Sequence, residues 1–567
     1  MSKHGMAFRA LDDLREVAVN VCRQVASSRG IFAACFYGSL VCGYQSRNGD
    51  VNVLLVLEGY PPRLMSQFKS LNGTNLLVVA VDRWVFERDI ERGWLGEFVA
   101  EALTVPYEPL VNEEYFWSQE VKVKKRIVCE LLENIVLEYP ELSHELLIKP
   151  EYFMYEVMMR RARVFPPITY SFLNMLRRDL KKTNIERIMK GYYEALRELA
   201  SEKRVVFFDG YVRISPEFIS KVKKRKLRMP PIFRSIQKAA LLYIFNVLPK
   251  TTNLFTYDQS IFFQWHRRKK SEEELALELE KPEKYFLIPT SHGLVPFTNK
   301  TGIEDFAKKL MGCQEGLEIE MEELGGVLNS VYLLTIRRNH VEQKVVVKKF
   351  KDWLDFKWFP LALWTLGAKT FAVLGRTRLE KEYAINQFLQ NNRVCVPKIL
   401  HVSPQERLIF QEYVQGENMA EIIKQIIAAP NENTAAKLDL IRKTGEEIAK
   451  VHSLGVALGD CKPENIVVQK TGAICFLDHE QATRNGNQAW DIAEFLYYAG
   501  HYASLLSSTS VSEAITKAFI EGYLNAGGNR KTVKEAGSAK YTKVFSIFTP
   551  PHILLAISNL CKQLGRE

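Results

Sequence analysis

A chain of 567 residues with 47% apolar and 25% charged side chains is too long for one core and too apolar to be globally disordered, so several folded domains are expected. Its formal charge of +11 favours a polyanionic partner such as nucleic acid or nucleotide. The nine cysteines form no Cys-x-x-Cys pair and the ten histidines show no zinc-ligand spacing, which argues against a disulfide framework or a structural metal site and fits a reducing cytoplasm.

The N-terminus is polar, with no apolar signal core. Residues 8–28 have the apolar spacing of an amphipathic helix, and FAACFYGS, DVNVLLVL and NLLVVAVD are strand-like runs separated by Gly, Asn and Ser, which predicts a small α/β domain. From about 115 to 200 apolar residues recur three and four apart, as in VCELLENIVLEY, so helices are expected. The stretch from Gly191 to Ile219 then predicts a helix, a strand, a turn at Asp209-Gly210 and a second strand. The run KVKKRKLR, from Lys221 to Arg228, has six basic residues in eight, and a polar tract from Ser271 to Lys284 has the composition of a connector. The most apolar stretch, from Phe359, is interrupted by Lys369 and falls short of the roughly 20 residues of a membrane span, so a soluble protein with no membrane contact is expected. From 317 onward short β-rich runs give way after 430 to helices.

In the N-terminal runs, Gly38 and Ser39 form a turn after a strand, and Asp50 and Asn52 alternate along the next. This resembles the nucleotidyltransferase superfamily that includes polymerase beta, in which a Gly-Ser turn precedes a strand bearing Asp-x-Asp and a later strand adds a third acid. The resemblance implies Gly38 and Ser39 at phosphate, Asp50 as first acid, Asn52 in place of the second and Asp82 as third. Two Mg²⁺ ions require clustered hard, charged oxygens, and an amide contributes no charge. A degenerate nucleotide- or RNA-binding domain is therefore expected, with an active transferase as the alternative.

The helix and hairpin of the middle region resemble a winged helix. Arg187, Lys190 and Arg197 on that helix and the adjoining basic run offer a phosphate-binding face, for tRNA or another nucleic acid, with a protein contact or a solvated face as the alternatives.

In the C-terminal part, LGDCKPENIVV carries Asp460, Lys462 and Asn465, and the strand-like ICFLD ends at Asp478, thirteen residues beyond Asn465. Phosphoryl transfer requires a carboxylate at the attacking hydroxyl, a carboxylate and an amide for Mg²⁺, and a lysine on the nucleotide phosphates. The order Asp-x-Lys-x-x-Asn followed by a strand-ending Asp resembles protein kinases. That resemblance implies ATP and Mg²⁺ as cofactors, Asp460 and Lys462 as catalytic residues, and Asn465 and Asp478 at the metal. Lys348, with Glu382 as its ion-pair partner, would bind ATP, Lys349 and Glu380 being the alternatives one register away. It further implies a phosphate-covering loop at Gly325-Gly326, adenine contacts from the backbone of Glu412 and Tyr413, and Asp491 as the anchor of the catalytic loop.

Leu458-Gly459 stands where most kinases have His-Arg, Asp478-His479-Glu480 stands for Asp-Phe-Gly, and only twelve residues lie between Asp478 and Asp491. The missing activation segment is similar to the RIO kinases and to the small kinase of the KEOPS tRNA-modification complex. Those families imply ATP hydrolysis or limited serine phosphorylation, and the combination of transferase-like fold, winged helix and RIO-like kinase resembles archaeal proteins. Between Lys348 and Glu382 lie Trp353, Phe356, Trp358, Phe359, Trp364 and Phe371, expected to pack on the small lobe or to bind a partner. The chain is thus expected to be multidomain α/β and α+β. Residues 1–115 are nucleotidyltransferase-like, and 116–270 are helical with a winged-helix-like segment at about 165–235. Residues 271–319 connect to a bilobal protein-kinase-like domain at 320–567, with a small lobe to 415. The expected function is that of an atypical serine/threonine kinase or ATPase whose front domains recruit RNA or a protein substrate. The alternatives are a nucleic-acid-binding scaffold with nucleotide-sensing domains, or a nucleotidyltransferase regulated by the kinase half.

Overall fold

The computed structural model describes residues 3–45, 50–59, 64–71, 74–164, 168–225, 279–312, 316–325, 330–338, 341–352, 372, 374–428, 434–504 and 507–566. The chain divides into two compact units, Met1–Leu287 and Ile288–Glu567.

The first unit opens with helix α1 (Lys3–Ala26), followed by strands β1 (Ile31–Tyr37), β2 (Val51–Leu57), β3 (Leu64–Leu71) and β4 (Thr74–Asp82), helix α2 (Arg83–Arg92) and strand β5 (Tyr107–Val111). The strands form one sheet in the order β3-β4-β2-β1-β5. Only β2 and β4 run parallel. Alternate residues Val51, Val53, Leu55 and Leu57 face Ala18, Val21, Cys22 and Val25 of α1 in one core. Leu54 and Val56 on the opposite face are equally buried, which is why β2 is a continuous apolar run without alternation.

Helix α3 (Glu113–Glu138), strand β6 (Leu147–Ile148), helices α4 (Glu151–Val164), α5 (Ile168–Met175) and α6 (Lys181–Ser201), the hairpin β7 (Val205–Phe208) and β8 (Tyr211–Ile214), and helix α7 (Pro216–Arg225) follow. Asp209 (φ 47°) and Gly210 (φ 78°) both adopt positive φ, as the tight hairpin turn requires. The hairpin is held on β6 by Ile148 opposite Val212. Strand β9 (Phe286–Thr290) adds Phe286 and Leu287 to the other side of β6. Helix α6, this hairpin and α7 occupy the stretch read as winged-helix-like, about 165–235, within the helices that begin at α3. Gly191 allows α6 to press on α3, where a Cβ would sit 2.3 Å from Glu120 Oε1.

The second unit continues β9 into β10 (Gly293–Pro296) and helix α8 (Ile303–Met311), then β11 (Glu318–Gly325), β12 (Ser330–Arg338), β13 (Val341–Lys349), helix α9 (Gly375–Asn391), β14 (Ile399–Ser403) and β15 (Leu408–Glu412). Strands β11 to β15 make an antiparallel sheet ordered β11-β12-β13-β15-β14. Phe306 of α8 stacks on Phe410 of β15 with ring centroids 4.0 Å apart, inside the core built by Leu334, Ile336, Val345 and Val347. The described residues of the expected 271–319 connector therefore carry strands and a helix, with Phe286, Leu287, Ile288, Val295 and Phe306 buried, whereas a linker's apolar side chains would be solvated.

The remaining elements are β16 (Gly416–Asn418), α10 (Met419–Ala428), α11 (Thr434–Ser453), β17 (Val456–Ala457), β18 (Ile466–Gln469), β19 (Ile474–Phe476), β20 (Thr483–Arg484), α12 (Gln488–His501), α13 (Thr509–Asn525), α14 (Arg530–Ala536), α15 (Ala539–Phe545) and α16 (Pro551–Leu564). One apolar core joins α10 to α16. The fold is mixed α/β, with a five-stranded sheet and helices α8 and α9 ahead of a helical lobe, consistent with a kinase-like fold. Gly326, Trp353, Phe356, Trp358, Phe359, Trp364 and Phe371, together with residues 226–228 and 271–278, lie outside the described residues.

Candidate active site

β13 runs between β12 and β15 and turns Lys348 inward, so that Lys348 is buried while Lys349 is exposed. Lys348 Nζ lies 2.7 Å from Glu382 Oε1 of α9 and 3.5 Å from Asp478 Oδ1, and donates to the Leu477 carbonyl at 3.0 Å. Glu380, the alternative partner, instead faces Arg376 at 3.5 Å. Glu382 also accepts from Gln411 Nε2 at 2.8 Å and from the His479 N–H at 2.6 Å. Burial pushes the Lys348 ammonium down, but Asp478 and Glu382 beside it outweigh burial and hold it above its ordinary value. Burial pushes Asp478 up, yet Lys348, the Glu480 N–H and Lys462 leave it below the usual carboxylate value.

The loop from 458 to 465 is held by the first turns of α12. Asp491 accepts from the N–H groups of Leu458 (2.6 Å) and Gly459 (2.7 Å), and His452 Nε2 lies 3.0 Å from Asp491 Oδ2. Three residues on, Glu494 accepts from the Cys461 N–H at 2.7 Å and from Trp490 at 2.9 Å. Gly459 takes φ 74°, a conformation a side chain would strain. Two carboxylates on one helix face thus shape the turn that presents Asp460, and Glu494, missed in the sequence, sits at the i+3 spacing that could have revealed it. Lys462 Nζ is 3.3 Å from Asp460 Oδ2. Burial lowers Lys462, and Asp460 and Glu494 more than compensate, keeping it charged.

Asn465 turns its Nδ2 onto the Asp460 carbonyl at 2.9 Å, which leaves its amide oxygen as the end for a hard cation. A carboxylate at 478, an amide at 465 and a phosphate-seeking lysine at 348 together fit a magnesium nucleotide. The remaining expectations fare unevenly. Gly325 closes β11 after a register shift opposite Val331, and Gly326 is outside the described residues. The Glu412 N–H is already donated to the Lys398 carbonyl at 3.0 Å, and its carboxylate accepts from the Lys398 N–H at 3.0 Å. Glu412 therefore does not supply the adenine donor from its own N–H. Tyr413 follows it, exposed.

Sequence reasoning missed Arg378 and Glu480. Arg378, one turn before Glu382 on α9, is wholly buried, and its Nη2 donates to both carboxylate oxygens of Glu480 at 2.8 and 2.7 Å. No local pattern signals a pair separated by 102 residues.

In the first unit, Gly38 takes φ 86°, and a Cβ there would meet Asn52 Nδ2 at 2.7 Å, so the Gly-Ser turn and Asn52 are neighbours. Asp50 immediately precedes the same strand. Asp82 does not join them. In the parallel β2–β4 register Asn52 lies beside Leu77, while Asp82 lies beside Leu57, five residues or roughly 16 Å further along the strands. Asp82 is the N-cap of α2, accepting from the N–H groups of Trp84 (2.9 Å) and Val85 (3.3 Å). The third-acid assignment is thereby corrected. On α6, Arg187 is engaged with the carbonyls of Val41 (3.0 Å) and Tyr107 (2.9 Å) and does not face a groove, whereas Lys190 and Arg197 are exposed.

Residues 345–523, which include Lys348, Glu382, Asp460, Asn465, Asp478 and Asp491, match the lipopolysaccharide kinase (Kdo/WaaP) family. The "KEOPS complex subunit Bud32" of Pyrococcus abyssi is 28% identical over 101 residues, 18% of this chain and 39% of that protein. The "Probable serine/threonine-protein kinase BUD32 homolog" of Archaeoglobus fulgidus is 25% identical over 181 residues, 29% of this chain and 84% of that protein. A "Probable bifunctional tRNA threonylcarbamoyladenosine biosynthesis protein" of Thermoplasma volcanium is 25% identical over 120 residues, 21% of this chain and 20% of that protein. The chain thus spans well under two thirds of the first and third of these curated relatives. Among the described residues, no helix is long and apolar enough to cross a membrane. The C-terminal unit is similar to atypical kinases across the segment that holds the Lys348, Glu382 and Asp478 cluster, and that similarity supports a phosphotransferase.

Proposed function

We propose that residues 288–567 form an ATP- and Mg²⁺-dependent phosphotransferase of the atypical serine/threonine kinase type, which hydrolyses ATP when no acceptor is seated. The observation that carries this reading is the buried Lys348 ammonium held between Glu382 and Asp478. In it, Glu382 aims Lys348 at the nucleotide phosphates, Asp460 accepts the proton of the attacking hydroxyl or water, and Lys462 beside Asp460 offsets charge on the transferred group. Asn465 and Asp478 would hold Mg²⁺, which supplies neutralisation of the phosphate oxygens. Asp491 and Glu494 keep the Asp460 turn in shape. Lipopolysaccharide kinases and serine/threonine kinases share a hydroxyl acceptor, so acceptor class is the open choice that a substrate panel decides.

The first unit then recruits the substrate or partner. Its helices and closing hairpin resemble a winged helix, its Gly38-Ser39 turn a nucleotide-binding remnant, and the tRNA and KEOPS contexts in the names of the relatives make tRNA the RNA to try first. A second reading, a nucleic-acid-binding scaffold that senses nucleotides, is favoured by Asn52 in place of the second acid and by Asp82 lying five residues along the strands from it. Incubation with Mg²⁺ and γ-labelled ATP, following phosphate release and protein labelling beside Asp460→Ala and Asp478→Ala, separates the two. Turnover abolished in both variants supports the phosphotransferase; binding with no turnover above Asp478→Ala sinks it.

A further inference from the structure

The twelve residues between Asp478 and Asp491 leave little chain to fold back over the site. They contribute the pair β20 with β17 and then enter α12. Whatever holds α9 against the segment after Asp478 must therefore come from elsewhere. Arg378 and Glu382, at i and i+4, lie on one face of α9, and both contact that segment. Glu382 accepts the His479 N–H, and Arg378 Nη2 donates to Glu480. The Glu480 N–H in turn donates to Asp478 Oδ1 at 3.3 Å.

Arg378 also reaches back, donating from Nη1 to the Lys351 carbonyl just past β13 at 3.0 Å. That contact requires α9 to start close to the β13 end. Gly375 permits it, because a Cβ there would lie 2.7 Å from the Phe350 carbonyl oxygen, and the Gly375 N–H is tied to Asp352 at 2.7 Å. The next residue of the segment is anchored as well: Gln481 Oε1 accepts from the Ala372 N–H at 2.9 Å.

We propose that Arg378 and Glu480 are a positioning pair that locks α9 onto the segment bearing Asp478, so that Lys348, Glu382 and Asp478 stay in register without an activation segment. The inference rests on the phosphotransferase reading. A buried ion pair adds little to stability against an apolar pair of similar volume, whereas a planar guanidinium that meets Glu480 from Nη2 and the Lys351 carbonyl from Nη1 fixes orientation. The pair is therefore there for geometry, and geometry at the metal carboxylate is what its loss disturbs.

The test uses the full chain with three variants: Arg378→Lys, Glu480→Gln, and the apolar double variant Arg378→Met/Glu480→Leu. Each is read by thermal unfolding, by ATP affinity as a function of Mg²⁺ concentration, and by ATP turnover. The double variant is expected to melt close to the wild type, to need several-fold more Mg²⁺ for half-maximal ATP binding, and to turn over roughly 10²-fold more slowly. Arg378→Lys, which keeps the charge but cannot meet Glu480 and the Lys351 carbonyl with one planar group, is expected to fold and to show an intermediate Mg²⁺ requirement. If the double variant or Arg378→Lys is folded with wild-type Mg²⁺ dependence and rate, the pair is structural only and the proposal falls. If the wild type binds Mg²⁺ and ATP but does not turn over, the phosphotransferase reading fails alone, and the positioning claim is judged on Mg²⁺ dependence of binding. If the wild type binds no Mg²⁺ with ATP, there is nothing to position and both fall.

Discussion

Lys348 Nζ stands 2.7 Å from Glu382 and 3.5 Å from Asp478, so one buried ammonium serves a carboxylate from helix α9 and another from the segment just past β19. It also donates to the carbonyl of Leu477, the residue before Asp478. In this arrangement the lysine is oriented by groups that do not react, and the phosphates of a nucleotide would meet a charge already in place.

Replacing Lys348 by Met leaves Glu382 and Asp478 without their shared cation. ATP turnover is expected to fall at least about 10²-fold, and the fold to lose about 3 kcal/mol. Steady-state turnover and denaturant unfolding check the two parts. Lys349→Met, altering the exposed neighbour, is expected to leave both close to wild type.

Asp491 accepts two backbone N–H groups of the catalytic turn and faces His452. Asp491→Asn can retain at most part of that pattern, and a stability loss of about 2 to 4 kcal/mol is expected. Turnover should fall with kcat, because the Asp460 turn loses its shape while the nucleotide contacts of Lys348 remain. A variant whose KM for ATP rises while kcat stays unchanged would contradict this.

His401 is buried against Phe306 and Phe410, and its Nε2 has no hydrogen-bond partner among the described residues. Burial first, then Lys309 and His292, lower it from 6.5 to about 4. Between those values the unfolded chain binds a proton that the folded chain does not. Stability is therefore expected to be full above about pH 6.5 and to be lost as pH falls toward 4. Thermal melts of wild type and His401→Phe across that window test it; the variant's curve should be flatter.

Asp82 caps α2 and lies far along the strand from Asn52. Asp82→Ala is expected to cost about 1 kcal/mol of stability and to leave any nucleotide binding at Gly38, Ser39 and Asp50 unchanged. Loss of binding without loss of stability, measured by titration and melting, would reverse the assignment.

On α6 the charges separate into two classes. Lys190→Glu with Arg197→Glu is expected to weaken binding of a tRNA probe and to flatten its salt dependence, by up to about 0.9 in log–log slope for each phosphate that is no longer neutralised. Arg187→Ala is expected to lower the melting temperature instead, since Arg187 holds the Val41 and Tyr107 carbonyls. Equal effects of all three on RNA affinity, with no melting change, would overturn the division.

Much of the candidate site was legible because its residues sit in short, ordered motifs. Asp460, Lys462 and Asn465 occupy one turn, Asp478 follows strand β19 by two residues, and Lys348 sits in QKVVVKKF, where alternation turns one of two adjacent lysines inward without saying which. The Asp209-Gly210 turn was legible for the same reason: a tight hairpin needs positive φ at both positions. Asp82 misled because an Asp after an apolar strand serves equally as a metal acid and as a helix cap, and only the parallel register of β2 and β4 tells them apart. The connector misled because the polarity around Ser271 to Lys284 masks the apolar residues beyond it, Phe306 among them, which bury only once β15 supplies a surface.

Chemistry tied to local periodicity could be read from the chain alone: the apolar runs, the turn residues, and the order of acids, amide and lysine. Pairing at long separation came from packing. Arg378 with Glu480, and Lys348 with Glu382 in preference to Lys349 with Glu380, depend on how α9 lies beside β13 and the segment after Asp478. No local rule encodes such pairs, because a charge is tolerated in a core only where a partner from another element meets it.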